Sequence, residues 1–401
     1  MTHTAFIQSI VDRFGPRAPA SEAERHAQEA VAAQFGTDFG TNVVTHAPFE
    51  AAVTAKFQSL KLFCTLLWLA LALAWWSSSL AALLALINAI VFLGHFVLYK
   101  DWLDRFWPSF RSANVWADLE PQGKATSTLI VAGHVDSATE FQWWFRWGHP
   151  GLLLTVLGGV MVVLAAPFLL TMVLAGGPQL GSLAFGWQVA WSIMACLSLS
   201  AWLLFAIHGD RGVDGAIDNL SGLATARAIG LAFRAEPGAS RLQHTRLRIM
   251  SFGSEECGLK GSRAYVASQY ESLVAEGAVL INLESFRDGR YLTALSGELF
   301  TGARYPINVN SRLEQAFVQA GTPWRSSPLA LGATDATSFA NRGLPATCLI
   351  GLDPDHLDPT YHTRRDNMAH LDPVGMEVVT DILTRFVTAW DAEAGNRAER
   401  V

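Results

Sequence analysis

"RIMSFGSEECGLKGS", residues 248–262, carries an apolar run into two adjacent acids, Glu255 and Glu256, set among glycines. Extended back to "RLRIMSFG" (246–253), it reads as a buried strand ending in a turn that bears carboxylates. Similar short runs, also read as buried strands, stand at "TSTLIVAG" (126–133), "AVLINLES" (278–285) and "PATCLIGL" (345–352). Between and around them, helical patterning predicts helices over 5–14, 21–35, 218–233, 261–274, 310–320 and 373–392. Strand and helix in alternation predict an α/β layer fold: a mostly parallel central sheet flanked by helices, with ligands gathering beyond the carboxyl ends of the strands.

Two apolar blocks interrupt this pattern. Residues 63–94, "FCTLLWLALALAWWSSSLAALLALINAIVFLG", and residues 151–207 contain no charged side chain. Each, with its flanking residues, is read as two membrane-spanning helices, one span needing about 20 residues, around a turn, "WWSSSL" (75–80) and "GGPQLGS" (176–182). Buried helices of a soluble core rarely stay uncharged on every face for so long. The expected organisation is therefore three catalytic-domain segments, 1–56, 100–149 and 208–401, separated by transmembrane hairpins at 57–99 and 150–207. The three polar segments make about 300 residues, near the upper limit for one core.

Lys56, Lys61, Lys100, Arg105, Arg146 and Arg211 flank the spans at the ends away from the turns, and the turns carry neither Lys nor Arg. Positive charge on the inner side then places the polar segments in the cytoplasm of a multi-pass membrane protein. The opening "MTHTAFIQSIVDRFGPR" has acids and no long apolar core, so no cleavable signal peptide is expected. The four cysteines show no pairing pattern, and a net charge of -6 offers no basic patch for nucleic acid.

Just past the expected strands stand groups that bind metals. His134 and Asp136 follow the first, Glu255 and Glu256 the second, Glu284 ends the third, and His362 follows the fourth. Asp218, in "GVDGAIDNLSG", opens a helix after the second hairpin. Singly, such residues are more often helix caps or loop acids. Together they form an imidazole and carboxylate set at one sheet edge, suited to zinc or a related divalent ion without a thiolate.

In order, "GHVDS", "GAIDNLSG", "SEECGLKGS", "NLES" and "YHTRRDN" resemble the motifs of the zinc-dependent aminopeptidases with two co-catalytic metals, whose fold family also contains glutaminyl cyclases. "FGPRAPASEAERHAQEAVAAQF" is similar to that family's N-terminal helix region, and "TDATSFANRGLPA" to the stretch before its last strand. The resemblance covers nearly all of the polar chain, with the hairpins as insertions. It implies two divalent ions, zinc by preference, bridged by Asp218. His134 and Glu284 complete one site, and Glu256 and His362 the other. It further implies that Asp136 orients His134 and that Glu255 is the general base rather than a ligand. The implied partners are a peptide with a free N-terminus and the lipid bilayer.

Two positions depart from the pattern. Glu284 stands where Asp is common, and Ala336 follows Asp335 where many relatives have His, leaving Asp335 either a pocket residue or a helix cap. Tyr361 is read as a packing residue or a donor to a reaction intermediate, Asp366 as a cap or a partner of Arg364 or Arg365, and His95, His149 and His208 as structural or interfacial. Three readings of function follow: an aminopeptidase, a glutaminyl-peptide cyclotransferase, and a membrane scaffold with a peptidase-like domain. An intact Glu255 favours the enzymes, because a scaffold has no use for a base beside a metal.

Overall fold

The computed structural model describes residues 1–353 and 357–398, so residues 354–356 and 399–401 of the expected third segment lie outside the described residues. The chain divides into two compact units, one of residues 1–53, 109–139 and 211–401, the other of residues 54–108 and 140–210. Residues 100–108 and 140–149, expected with the polar segment, cluster with the apolar helices instead. A reason is local: the Trp102 ring fills the space where a side chain at Gly94 would stand, and the main chain at Trp143 closes on Gly151 in the same way.

The first unit is built on nine strands: β1 (Val44–Ala51), β2 (Phe110–Leu119), β3 (Ser127–His134), β4 (Thr245–Phe252), β5 (Val279–Glu284), β6 (Thr293–Glu298), β7 (Ala303–Arg304), β8 (Arg325–Leu329) and β9 (Ala346–Ile350). They run in the order β1-β2-β4-β3-β5-β9-β6-β7, with β8 paired to β6. The fold is α/β as expected, but the sheet is mixed. Its centre, β4-β3-β5-β9, is parallel throughout, β8 pairs with β6 in parallel as well, and β1, β2, β6 and β7 add antiparallel pairings. Those four central strands are the ones legible as apolar runs, because a parallel strand covered on both faces needs no polar alternation.

Successive side chains of each strand enter different cores. Leu129 and Val131 of β3, with Leu247 and Ile249 of β4, face a core completed by α1 (His3–Phe14), α2 (Glu22–Phe39), α3 (Leu220–Phe233), α5 (Ile307–Ala320) and α6 (Pro373–Ala398). Ile130 and Ala132, with Met250 and Phe252, face the other core with α4 (Lys260–Ala275) and the short helix Ala336–Ala340. At Gly133 the sheet meets α3 so closely that a Cβ would lie 2.6 Å from the backbone N of Leu223.

The second unit contains four helices long and apolar enough to cross a membrane: Ala55–Leu73, Ser78–Val97, His149–Leu174 and Phe185–Phe205. Their inner faces pack Leu67, Ala85, Val162 and Leu169, while Leu83, Ile87, Leu153, Leu170 and Ile193 are exposed. A bundle apolar both inside and out suits lipid as its solvent. Some of its polar side chains satisfy backbone: Asn88 Nδ2 donates to the Phe63 carbonyl at 3.0 Å, and Trp68 Nε1 to that of Ser198 at 3.1 Å. His95 is buried and accepts from the Leu103 amide; His149 and His208 lie against the rings of Trp144 and Phe57.

Candidate metal centre

Strand ends position the centre. His134 closes β3, Glu284 closes β5, and Glu255 and Glu256 lie in the turn after β4. Asp218 precedes α3, whose N-cap Asn219 accepts the Gly222 amide and donates to the Leu283 carbonyl at 2.7 Å, fixing the start of α3 to the end of β5.

Ligand-capable atoms of His134, Asp218 and Glu284 lie within 4.8 Å of one another, as do those of Asp218, Glu256 and His362. Asp218 belongs to both groups. Its Oδ1 is 3.3 Å from His134 Nε2, and its Oδ2 is 3.3 Å from His362 Nε2. Glu256 Oε2 stands 3.0 Å from His362 Nε2, and Glu284 Oε2 3.8 Å from His134 Nε2. Glu255 Oε2 is 3.7 Å from His134 Nε2, and Glu255 also joins a third group with His134 and Glu256.

Burial sets the electrostatics. Glu255 is pushed well above the usual carboxylate range by burial, to which Asp335, Glu256 and Glu284 add and which His134 opposes. Burial likewise raises Glu256 and Glu284. Burial opposes the ionised form of Asp218 too, but bonds from both histidines outweigh it and hold Asp218 below its ordinary value. For His362, burial is outweighed by Glu256 and Asp218, and its pKa is pushed up to about 10.

Outer groups orient this set. Asp136, with no exposed surface, places Oδ1 3.4 Å from His134 Nδ1. The same carboxylate accepts the amides of Glu255 at 3.1 Å and Glu256 at 3.0 Å, so it holds the acid turn as well as the imidazole. Asp366 is neither a helix cap nor seated on a neighbouring arginine: it accepts the amides of Ile217 at 2.6 Å and Asp218 at 3.1 Å. The reading from local sequence failed because these partners lie some 150 residues away. Asp335 makes no helix-cap bond and is fully buried, and burial raises its pKa to about 7. The Tyr361 ring stacks on that of His362, with centroids 4.0 Å apart.

Sequence reasoning missed two supporting groups. Asn282 Nδ2 donates to Glu284 Oε1 at 2.9 Å; it lies two residues earlier on the same strand, so its side chain shares the face, which was the available signal. The buried Arg17 guanidinium donates to the carbonyls of Gly15, Val135, Asp214 and Gly215, joining the end of β3 to the loop before Asp218.

The residues fit divalent cations. Four carboxylates and two imidazoles share one buried space with no thiolate donor among them. Among the described residues, no Lys or Arg forms an ion pair with Asp218, Glu255, Glu256 or Glu284, and the buried Oε1 of Glu256 has no hydrogen-bond partner. Packed acids of this kind need positive charge to remain ionised together.

Comparison with known proteins agrees with this architecture. The sequence profile of peptidase family M28 matches residues 197–387. Aminopeptidase YwaD of Bacillus subtilis (strain 168) is 24% identical over 188 residues, which cover 43% of this chain and 37% of that protein. The zinc aminopeptidase BSAP from Bacillus subtilis superposes with a TM-score of 0.56 at 16% identity, covering 96% of this chain and 93% of that one. The glutaminyl cyclase of an Acidobacteriales bacterium gives 0.55 at 12% identity, over 98% and 94%. Residues 197–387 therefore resemble peptidase family M28, and the chain has the fold that zinc aminopeptidases share with glutaminyl cyclases.

Proposed function

We propose that the protein is a membrane-anchored, zinc-dependent aminopeptidase that removes N-terminal residues from peptides. The observation that carries this reading is the division of Asp218: one carboxylate oxygen faces His134 and the other His362, within two separate ligand groups. His134 and Glu284 would hold one ion, Glu256 and His362 the other, with Asp218 between them. Bound there, divalent cations supply Lewis acidity to a peptide carbonyl and acidity to a water.

The chain's own groups do the rest. Glu255 is the general base: it takes a proton from the attacking water on Oε2 and returns it to the leaving amine. Burial, the first cause of its raised pKa, favours the protonated form that a return of the proton to the leaving amine requires. Asp136 keeps the His134 ring and the Glu255–Glu256 backbone in register, and Asp366 holds the Asp218 backbone. The apolar helices anchor the chain, and the flanking Lys and Arg favour a cytoplasmic catalytic unit.

The test uses full-length protein in detergent, its metal content measured, incubated with free and N-blocked peptides including one with N-terminal Gln, with and without chelator. Release of single N-terminal residues from free peptides alone, abolished by chelator, is expected. A pyroglutamyl product without amino-acid release would replace this reading with cyclisation. Metal-loaded protein that turns over none of the peptides would leave the scaffold reading.

A further inference from the structure

We propose that Glu24, on α2 and remote in sequence from every candidate ligand, is a positioning residue that sets the geometry of the acid turn Ser254-Glu255-Glu256. The proposal rests on the reading above, in which Glu255 is the base and Glu256 a ligand. Glu24 has no exposed surface. Its Oε1 accepts the amide of Ser254 at 2.5 Å and the Ser254 hydroxyl at 3.0 Å. Its Oε2 accepts the Ala20 amide at 2.6 Å, and the Ser112 hydroxyl lies 3.0–3.1 Å from both oxygens.

Glu24 and Asp136 thus divide one task. Ser254 has φ 53, a left-handed conformation that a residue with a Cβ adopts only when its surroundings impose it. From there, three consecutive amides point at carboxylates: Ser254 at Glu24, Glu255 and Glu256 at Asp136. The approach at Gly253 is equally close, since a Cβ there would lie 2.4 Å from the Ala113 carbonyl oxygen and 3.1 Å from Glu24 Oε1. The direction in which Glu255 and Glu256 leave the backbone is therefore fixed from α2 as well as from the end of β3.

A carboxylate is an odd choice for a mere staple here. Burial and the neighbouring Asp136 both oppose its charge, raising its pKa to about 8. A glutamine of the same shape has one accepting oxygen, and its amide nitrogen cannot accept from the second backbone N–H. Only an acid serves Ala20 and Ser254 together. In sequence, Ser21 and Glu24 form the S-x-x-E capping pattern, and the Ser21 side chain does accept the Glu24 amide. That local reading conceals where the carboxylate goes.

The experiment compares Glu24→Gln with Ser112→Ala, which removes another partner of Glu24 but no hydrogen bond of the Ser254, Glu255 or Glu256 amides. Readouts are kcat and KM on a short free peptide, the zinc dissociation constant, amide hydrogen exchange over residues 253–257 in metal-free protein, and Tm. We expect Glu24→Gln to lower kcat or zinc affinity by about 10–100-fold, with KM nearly unchanged and faster exchange in the turn. Ser112→Ala should lower Tm alone. If Glu24→Gln does not fold, Glu24→Asp keeps the carboxyl group but is one methylene short of spanning both amides, and it carries the same expectations. A variant with lowered Tm but wild-type kcat, zinc affinity and exchange would reduce Glu24 to a staple and overturn the proposal. Were the wild type inactive on every peptide, the aminopeptidase reading would fail, while exchange and zinc affinity would still decide the role of Glu24.

Discussion

Asp366 stands directly behind Asp218, its Oδ2 accepting the Asp218 amide at 3.1 Å while its Oδ1 takes the preceding amide at 2.6 Å. An acid outside the proposed ligand set thereby holds the backbone of the acid proposed to bind two ions. Replacing it with asparagine leaves one of the two amides facing an NH2 group. Asp366→Asn should weaken zinc binding by about 10–100-fold, measured by competition with a chromogenic chelator, and activity should recover in excess zinc.

Asp218→Ala should lose both ions together, since no other residue belongs to both the His134–Glu284 and the Glu256–His362 groups. Metal analysis after gel filtration should give a stoichiometry near zero. Retention of full occupancy would refute a shared ligand.

Glu255→Gln should keep both ions, because the base is not one of the proposed ligands. Turnover should fall by about 10²–10⁴-fold in steady-state assays on metal-replete protein. Loss of metal instead would move Glu255 into the ligand set.

Glu298 gives a pH dependence outside the centre. It is buried against the hydroxyls of Thr334, Thr337 and Tyr305, and burial raises its pKa despite those bonds. A carboxyl with a raised folded pKa favours the protonated fold, so its contribution is present below the unfolded value of about 4.3. It is lost as pH rises through the folded value. The Tm of wild type relative to Glu298→Gln should therefore fall as pH is raised from 4.5 towards neutrality, as followed by circular dichroism.

Gly133→Ala should destabilise the first unit by about 1–3 kcal/mol, since its Cβ would stand 2.6 Å from the Leu223 nitrogen with backbone on both sides. Thermal unfolding measures this. His134 is the next residue, so zinc affinity should fall with it.

Much of this protein is written locally. The four central strands are legible because both their faces are buried, so "TLIVAG" and "VLINL" appear as unbroken apolar runs. The four candidate spans are legible because they are apolar over a whole span's length, the pattern that a helix in lipid requires. The ordered motifs name the residues that meet at Asp218. The outer strands were not legible: β1 alternates half-buried with exposed residues, and β2 carries Arg111, Asn114 and Asp118, so neither forms an apolar run.

Only the tertiary structure decided which acids stand behind the centre. Asp366 and Glu24 look like ordinary caps in sequence, yet each accepts backbone amides far along the chain, across about 150 and 230 residues. The physical reason is that hydrophobic periodicity and capping are local, reading a few residues at a time, whereas a buried carboxylate is satisfied by whichever amides the packed elements bring to it. The sequence by itself therefore determined the chemistry available at the sheet edge and the apolar helices inserted into the chain. The fold alone determined how that chemistry is held in place.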